Sequence, residues 1–274
     1  MIPTLPASPT LGVASFETCS DDAVSGMLRR PYAFGAARVE WDIVAPRHAR
    51  AIVFAFDGVL CDLSGWLRWA HTMLPKFGVR CGFAEFRRVW ERRWRRLVAV
   101  RAISLEAAVD ECLAYWLIPA GAIPELRAAI VSQARRERAE CRLLPGVKST
   151  LRALQTAGWT LGLYAESPET AAELKQRLDD LDVAECFAVI QTAGDTECSL
   201  GDEAAFHVAL AGFEVEESAA VFVGAVERDL DTAEDLGWWT VSCATHEHAD
   251  RRVCERLTDL PGKLPVTTPE LAAG

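Results

Sequence analysis

Residues 53–62 read Val-Phe-Ala-Phe-Asp-Gly-Val-Leu-Cys-Asp. An apolar run of this kind is typical of a strand that is buried inside a parallel sheet. Asp57 and Gly58, which follow the apolar residues, are typical of the turn at a strand end. The stretch therefore predicts a first core strand over Ala51–Phe56, with a carboxylate just beyond its carboxyl end.

Downstream of Pro145 the sequence alternates between short apolar runs and helix-like stretches. Strands that alternate with helices form a doubly wound parallel sheet, in which ligands bind at the carboxyl ends of the strands. We therefore expect an α/β fold, and a chain of 274 residues can form one large domain or two modest ones. The apolar runs predict strands over Leu161–Tyr164, Ala188–Ile190, Val221–Val223 and Thr240–Ser242.

The quoted stretch resembles the first motif of the haloacid dehalogenase-like (HAD) superfamily, in which a buried strand ends in Asp-x-Asp-Gly-Val-Leu. Ala55 stands at the position of the first aspartate of that motif, and Asp57 stands at the position of the second. In the family the first aspartate is the nucleophile and the second is the general acid and base. The resemblance thus implies a site that has kept its proton-transfer residue and lost its reactive carboxylate.

A second segment resembles the next motif of the same superfamily. Leu143–Val147 leads into an amphipathic helix that ends on glycine, and a strand follows. The strand closes on Ala165 and Glu166, where the family has a Thr-Asn pair. A looser alignment of the following region puts Leu200 where the family usually has a phosphate-binding lysine.

A third segment, residues 219–237, resembles the family's sequence of strand, Gly-Asp-x-x-x-Asp, helix and glycine. Ala225 stands where the first metal-binding aspartate belongs, whereas Asp229 keeps the second. Glu227 is a candidate substitute ligand, although a solvated glutamate in a loop explains it as well. Any Mg²⁺ held by Asp57, Glu227 and Asp229 would bind weakly, because a hard divalent cation prefers several protein oxygens.

Phosphoryl transfer of this type needs an in-line carboxylate, a magnesium ion, and cationic or hydroxyl groups around the phosphoryl oxygens. Losing one charge-stabilising group typically costs about 2.7–4 kcal/mol of transition-state stabilisation. The four substitutions remove one group of each kind, so we expect a pseudoenzyme that acts as a binding or assembly module without a cofactor. The alternative is a divergent, phosphatase-like hydrolase of a small phosphorylated substrate, which would require Mg²⁺. The substituted positions are Ala55, Ala165, Leu200 and Ala225.

The two retained aspartates also have simpler explanations. Asp57 is explained as a turn aspartate that accepts hydrogen bonds from nearby backbone amides. Asp229 is explained as a carboxylate near a helix N-terminus, which the helix dipole favours. Neither residue by itself therefore indicates activity.

The order of segments resembles the HAD subgroup that includes phosphoglycolate phosphatases, beta-phosphoglucomutases and haloacid dehalogenases. In that subgroup a helical cap is inserted after the first strand. The resemblance implies a cap over residues 62–143 and a Rossmann-like α/β core over 49–61 and 144–274. Residues 1–48 form an N-terminal extension, in which the alternation over Val39–Ile43 predicts a short strand.

Charge is distributed unevenly along the chain. Residues 61–143 carry a net charge of +6, and the remaining residues carry −16. Phe86, Trp90, Trp94 and Leu97 predict one apolar stripe of a helix, which leaves Arg92, Arg93, Arg95 and Arg96 on the other faces. These arginines are either a solvated helix face whose stems cover aromatic residues, or an anion surface for an acidic protein or a small anionic ligand. The acidic remainder disfavours nucleic acid.

The nine cysteines form an odd set without a Cys-x-x-Cys pair. Free thiols in a reducing compartment explain them best. Cys243, His246, His248 and Cys254 have residue types that bind zinc, but their spacing matches no regular zinc module. We expect a cytoplasmic protein without a membrane span, because the chain has no uninterrupted run of 18 apolar residues and its first residues lack the pattern of a secretory signal.

Overall fold

The structure is a computed structural model that describes residues 49–213, 215–243, 254 and 256–264. Its five strands are β1 Ala51–Ala55, β2 Thr160–Ala165, β3 Val189–Thr192, β4 Ala220–Gly224 and β5 Trp239–Ser242. They form one sheet in the order β3-β2-β1-β4-β5, and all neighbouring strands run parallel. The predicted α/β fold with a parallel sheet is confirmed.

The central strand of this sheet is β1, whose five residues are all buried. It pairs with β2 on one side and with β4 on the other, with Phe54 opposite both Leu163 and Val223. The strands β2 and β3 lie on one side of β1, and the later strands β4 and β5 lie on its other side. The carboxyl ends of β1 and β4 therefore flank a topological switch point, where ligands bind in open parallel sheets.

The helical segment, residues 65–139, lies in the chain between β1 and β2. Its aromatic residues form an apolar core separate from the one around the sheet, and the rings of Trp66 and Trp90 meet edge to face at 5.0 Å. Glu137 accepts the N–H of Gly65 at 2.7 Å, which satisfies a donor at the start of the first helix. Its helices are α1 Gly65–Met73, α2 Phe83–Trp90, α3 Arg96–Ala99, α4 Leu105–Tyr115 and α5 Ile123–Ala139, with a 3₁₀ turn at Leu74–Phe77.

A π-helical turn over Glu91–Arg95 joins α2 to α3. The predicted apolar stripe is correct for its first three aromatic residues, but Leu97 is 38% exposed, whereas Val98 is 8% exposed. A π turn holds about one residue more than an α turn, so the buried face returns one residue later. The placement of Leu97 in the stripe was wrong for this reason.

The helices outside the helical segment begin with Val147–Thr156, which precedes β2, and the remaining ones follow β2. The helix Ala171–Asp180 begins with a capping box, in which Thr170 and Glu173 exchange side-chain and backbone hydrogen bonds. Short 3₁₀ turns lie at Ala184–Cys186, Glu217–Ala219 and Leu257–Asp259. The helices are α6 Val147–Thr156, α7 Ala171–Asp180, α8 Ala193–Thr196, α9 Glu203–Ala211, α10 Glu227–Asp235 and α11 Leu260–Lys263.

Some predictions fall outside the described residues. They are the extension over residues 1–48 with its strand at Val39–Ile43, and the last part of the predicted core, residues 265–274. The boundaries of the proposed cap and core remain a proposal. Among the described helices, none combines the length and the apolar character that crossing a membrane requires.

Candidate functional site

The turn after β1 lies against the loop after β4. Asp57 accepts the backbone N–H of Leu63 through Oδ1 at 2.9 Å, and Gly58 donates its N–H to the carbonyl of Cys61 at 2.7 Å. Gly58 has a φ of +79°, and a Cβ placed on it would lie 2.9 Å from the Cβ of Ala225. The turn therefore requires glycine for its backbone conformation and for its close approach to Ala225.

A cavity of about 200 Å³ lies at this edge of the sheet. Its wall includes Phe56 after β1, Ala165 at the end of β2 and Ala225 after β4. The helical segment contributes Trp66 and Trp90. The wall also carries charges of both signs, from Asp57, Asp62, Glu91, Glu137, Glu166 and Glu169 and from Arg87, Arg95, Arg135, Arg138 and Arg177. The cavity thus has apolar walls and nearly balanced formal charge.

Three of the substituted positions lie at the carboxyl ends of neighbouring strands. Ala55 ends β1, Ala165 ends β2, and Ala225 follows β4. Ala165 and Ala225 line the cavity, whereas Ala55 is 6% exposed and does not line it. A methyl group at each position supplies no nucleophile, metal ligand or hydrogen-bond donor.

Glu166 directly follows the end of β2 and is bound within the protein. Its carboxylate accepts hydrogen bonds from the hydroxyl of Ser199 and, at 2.8 Å, from the backbone N–H of Leu200. Burial raises the pKa of Glu166, while Arg95 and the two hydrogen bonds oppose the rise. Leu200 is 4% exposed, so its side chain offers nothing that could bind a phosphate.

Arg95, in the π turn of the helical segment, lines the cavity. Burial alone would lower the pKa of its guanidinium, but the nearby carboxylates of Glu166, Asp229 and Asp57 outweigh burial and raise that pKa. Arg95 therefore supplies a permanent positive charge to the acidic groups that remain at this edge of the sheet.

Asp229 lies in the first turn of α10 and is 5% exposed. Burial raises the pKa of its carboxyl from 3.8 to about 7, Arg95 counteracts the rise, and Glu166 adds to it. Glu227, in the same turn, is exposed. The position of Asp229 agrees with a helix N-terminal carboxylate, and its burial makes the charged form costly.

The residues at this edge of the sheet do not fit a magnesium ion. The side chains of Ala55 and Ala225 supply no oxygen, and one carboxylate oxygen of Asp57 already accepts the backbone N–H of Leu63. Within the described parts of the chain, no three His, Cys, Asp or Glu side chains are grouped so that they could hold a metal. Arg95 adds a positive charge that would repel a cation from the same carboxylates.

The other arginines of the predicted anion surface have different surroundings. Arg96 forms an ion pair with Asp202, with 2.6 Å between guanidinium and carboxylate. Arg93 lies over the ring of Tyr115 at 4.6 Å, and Arg92 is exposed. Three of the four arginines therefore have contacts within the protein, and the contacts do not favour one surface made of all four.

Further arginines of the helical segment contact the part of the chain that follows β2. Arg138 lies 3.7 Å from the carboxylate of Glu169, and Arg101 donates to the carbonyl of Pro168 at 2.7 Å. Arg177 of α7 also pairs with Glu169, and both side chains are about 15% exposed. Sequence reasoning missed these pairs because their members are far apart in the chain, and only the opposite net charges of the two regions hinted at them.

The zinc-like set is only partly described. Cys243 is half-buried and Cys254 is buried, while His246 and His248 lie outside the described residues. Burial raises the pKa of Cys243 to about 12, with a further contribution from Cys254. The described part of the set thus favours protonated thiols.

Comparisons with known proteins agree with the fold. A family model described as "Haloacid dehalogenase-like hydrolase" matches residues 52–242. A phosphoglycolate phosphatase of Xanthomonas campestris pv. campestris (strain 8004) is 30% identical over 203 residues, which make up 72% of this chain and 83% of that protein.

Solved structures show the same fold at lower identity. A 2-haloacid dehalogenase from Pseudomonas syringae pv. tomato DC3000 aligns with a TM-score of 0.52 and 21% identity, over 78% of this chain and 97% of that one. A beta-phosphoglucomutase from Clostridium difficile aligns with a TM-score of 0.54 and 18% identity, over 77% and 93%. The family match and the phosphatase relative show that this chain belongs to the haloacid dehalogenase-like hydrolase family.

Proposed function

We propose that this chain is a non-catalytic member of its family, a pseudoenzyme that acts as a binding or assembly module. One observation carries the proposal: Arg95 lines the cavity together with the remaining carboxylates of Asp57 and Glu166, while Ala55 and Ala225 stand at the positions of the family's nucleophile and metal ligand. The site has lost the groups that a phosphoryl transfer would use, and a charge of the protein itself neutralises those that are left.

The expected loss of catalytic rate is large enough to support the proposal. Removal of one charge-stabilising group lowers a rate by about a hundredfold to a thousandfold, and removal of a covalent nucleophile lowers it further. Glu166 cannot replace the lost groups, because Ser199 and Leu200 already bind its carboxylate. Asp57 could still transfer a proton, but a proton-transfer residue without a nucleophile does not attack phosphorus.

The cavity supports a small anionic molecule as the ligand of this module. Arg138 and Arg177 line it together with the apolar side chains of Phe56 and Trp66, a combination that suits a small ligand with one anionic end. Glu169 pairs with both arginines, so the ligand would have to share their guanidinium groups. A protein partner is the other proposed class, and exposed Arg92 is the residue that supports it.

A turnover assay tests the absence of catalysis. The purified chain is incubated with p-nitrophenyl phosphate and Mg²⁺, beside an Asp57→Asn variant and a member of the family with an intact first motif. We expect release of p-nitrophenol at the rate of the protein-free reaction for both versions of this chain. Turnover at ordinary enzymatic rates, about 1 per second or faster, would overturn the proposal.

The second candidate is a divergent hydrolase of a small phosphorylated substrate. The observation in its favour is that Asp57, the retained proton-transfer residue, lines the cavity beside Phe56 and Glu166. On this alternative the unmodified chain turns over a phosphate ester with Mg²⁺, and Asp57→Asn abolishes that turnover. The variant therefore separates a residual activity of the site from a contaminating phosphatase.

A further inference from the structure

Two stretches connect the sheet with the helical segment, and they are paired with each other. The outgoing stretch follows β1, and the returning stretch follows α5. Leu144 donates its N–H to the carbonyl of Leu60 at 2.8 Å, and Cys61 forms an antiparallel bridge with Leu143. Residues 60–61 and 143–144 therefore lie side by side where the chain leaves the sheet and returns to it.

Each of these stretches carries a cysteine. Cys61 is fully buried and Cys141 is half-buried, and each thiol is among the groups that shift the pKa of the other. Cys61 also lies 3.9 Å from the carbonyl of Phe56. Cys141 precedes Leu143, the bridge partner of Cys61, by two residues.

A buried cation lies beside this pair. Arg177 of α7 pairs with Glu169, and its Nη1 is buried without a hydrogen-bond partner in the described part of the chain. The interaction with Cys61 lowers the pKa of the Cys141 thiol most, and the charge of Arg177 lowers it further. Burial acts in the opposite direction and raises this pKa. The interaction with Cys141 and burial raise the pKa of Cys61. Cys141 is thus the better nucleophile, and Cys61 holds its proton.

We propose that Cys61 and Cys141 are a redox-active pair that forms a reversible disulfide between the two connections of the helical segment. The oxidant is a peroxide. The Cys141 thiolate attacks one peroxide oxygen, the O–O bond breaks, and the departing hydroxide takes up a proton to give water and a Cys141 sulfenic acid. Cys61 then attacks the sulfenic sulfur and gives up its proton, and the released hydroxide leaves as a second water.

The disulfide would act on the two stretches that connect the helical segment with the sheet. In the thiol state the connections are held at residues 60–61 and 143–144 by backbone contacts, which can open locally. In the disulfide state a covalent bond joins them, so the helical segment cannot move away from the sheet edge at this point. The pair therefore couples the redox state to access to the cavity, whatever ligand the cavity takes.

The test is a peptide map of the unmodified chain. The reduced protein is treated with hydrogen peroxide, alkylated and digested with trypsin without reduction. Cleavage after arginine places Cys61 in residues 51–68 and Cys141 in residues 139–142. We expect these two peptides to be joined, with the loss of two hydrogen atoms, on the order of tenfold more often than any other pair of cysteine peptides. Dithiothreitol should separate them.

Three variants extend the test, and one of them is a control. Cys141→Ser abolishes the joined peptide, whereas Cys81→Ser, which changes another half-buried cysteine, leaves it unchanged. Arg177→Gln slows the alkylation of Cys141 by iodoacetamide several-fold at neutral pH, because a smaller fraction of the thiol is ionised. Oxidation of Cys141 to sulfinic acid with Cys61 unmodified, or preferential joining of other cysteines, overturns the proposal.

Discussion

The carboxylate of Glu166 accepts the backbone N–H of Leu200 across 2.8 Å. At these two positions the family resemblance implies an asparagine and a phosphate-binding lysine. Here the two substituted residues bind each other, and Ser199 adds a hydroxyl to the same carboxylate. In this chain the carboxylate of Glu166 is thus used in a contact within the protein.

This contact predicts a loss of stability when Glu166 is replaced by alanine. The substitution leaves the N–H of Leu200 and the hydroxyl of Ser199 without their acceptor, so the free energy of unfolding should fall by about 1–3 kcal/mol. Glu166→Gln keeps an acceptor oxygen and should lose less. Urea denaturation measures both variants, and equal stability of Glu166→Ala and the unmodified chain would contradict the assignment.

Asp229 predicts a pH dependence of stability. Its pKa in the folded chain is about 7, above the ordinary 3.8, so the folded state binds its proton more tightly than the unfolded state. The contribution of this group to stability is therefore complete below pH 3.8 and is lost as the pH rises to about 7. At most about 4 kcal/mol is involved, at 1.36 kcal/mol per pKa unit.

Asp229→Asn should remove that dependence. The stability of the variant relative to the unmodified chain should rise between pH 4 and pH 8, because asparagine does not ionise. Thermal unfolding at a series of pH values measures the difference. A difference that stays constant across this pH range would show that the pKa of Asp229 is ordinary.

We expect the replacement of Gly58 to lower the free energy of unfolding for two separable reasons. Gly58→Ala forces an alanine into a left-handed backbone conformation, which costs roughly 1–2 kcal/mol, and places its methyl 2.9 Å from the Cβ of Ala225. Gly78 has a nearly identical φ of +80°, and nothing lies within 4 Å of a Cβ built there. Gly78→Ala therefore measures the backbone part alone, and Gly58→Ala should be the more destabilising of the two in chemical denaturation.

Sequence reasoning located the sheet and the edge where the site lies. The strands β1 and β4 could be predicted because strands that are buried on both faces are continuously apolar. The motif positions Asp57 and Ala225 could then be placed, because they come shortly after these strands in the chain. One helix end could also be predicted from the sequence, because glycine marks the end of the helix at Gly158. These features depend on residues that are close in the chain.

The contacts across the cavity could not be predicted in the same way. The π turn shifted the buried face from Leu97 to Val98, and no sequence signal marks such a turn. The position of the Arg95 side chain depends on that shift and on the packing of the helical segment against the sheet. The pairing of Cys61 with Cys141 likewise depends on the two connections lying side by side, which their separation in the chain conceals.

The central claim is that Arg95, and not a metal ion, neutralises the carboxylates that remain at the switch point. It predicts that Arg95→Met raises the pKa values of Glu166 and Asp229 further, because the guanidinium now opposes their rise. Carbon NMR titration of the side-chain carboxyls measures both shifts. Arg92→Met, in the exposed part of the same helical turn, is the matched control and should leave both pKa values unchanged.

Magnesium binding tests this claim most directly. Isothermal titration of the unmodified chain with Mg²⁺ should give no saturable heat up to about 10 mM, since two carboxylates beside a guanidinium are a poor site for a hard cation. A combined Arg95→Met and Ala225→Asp variant, which removes the competing charge and restores an oxygen ligand, should bind more tightly. Saturable binding of one Mg²⁺ by the unmodified chain at micromolar concentration, lost in Asp229→Asn, would contradict the account.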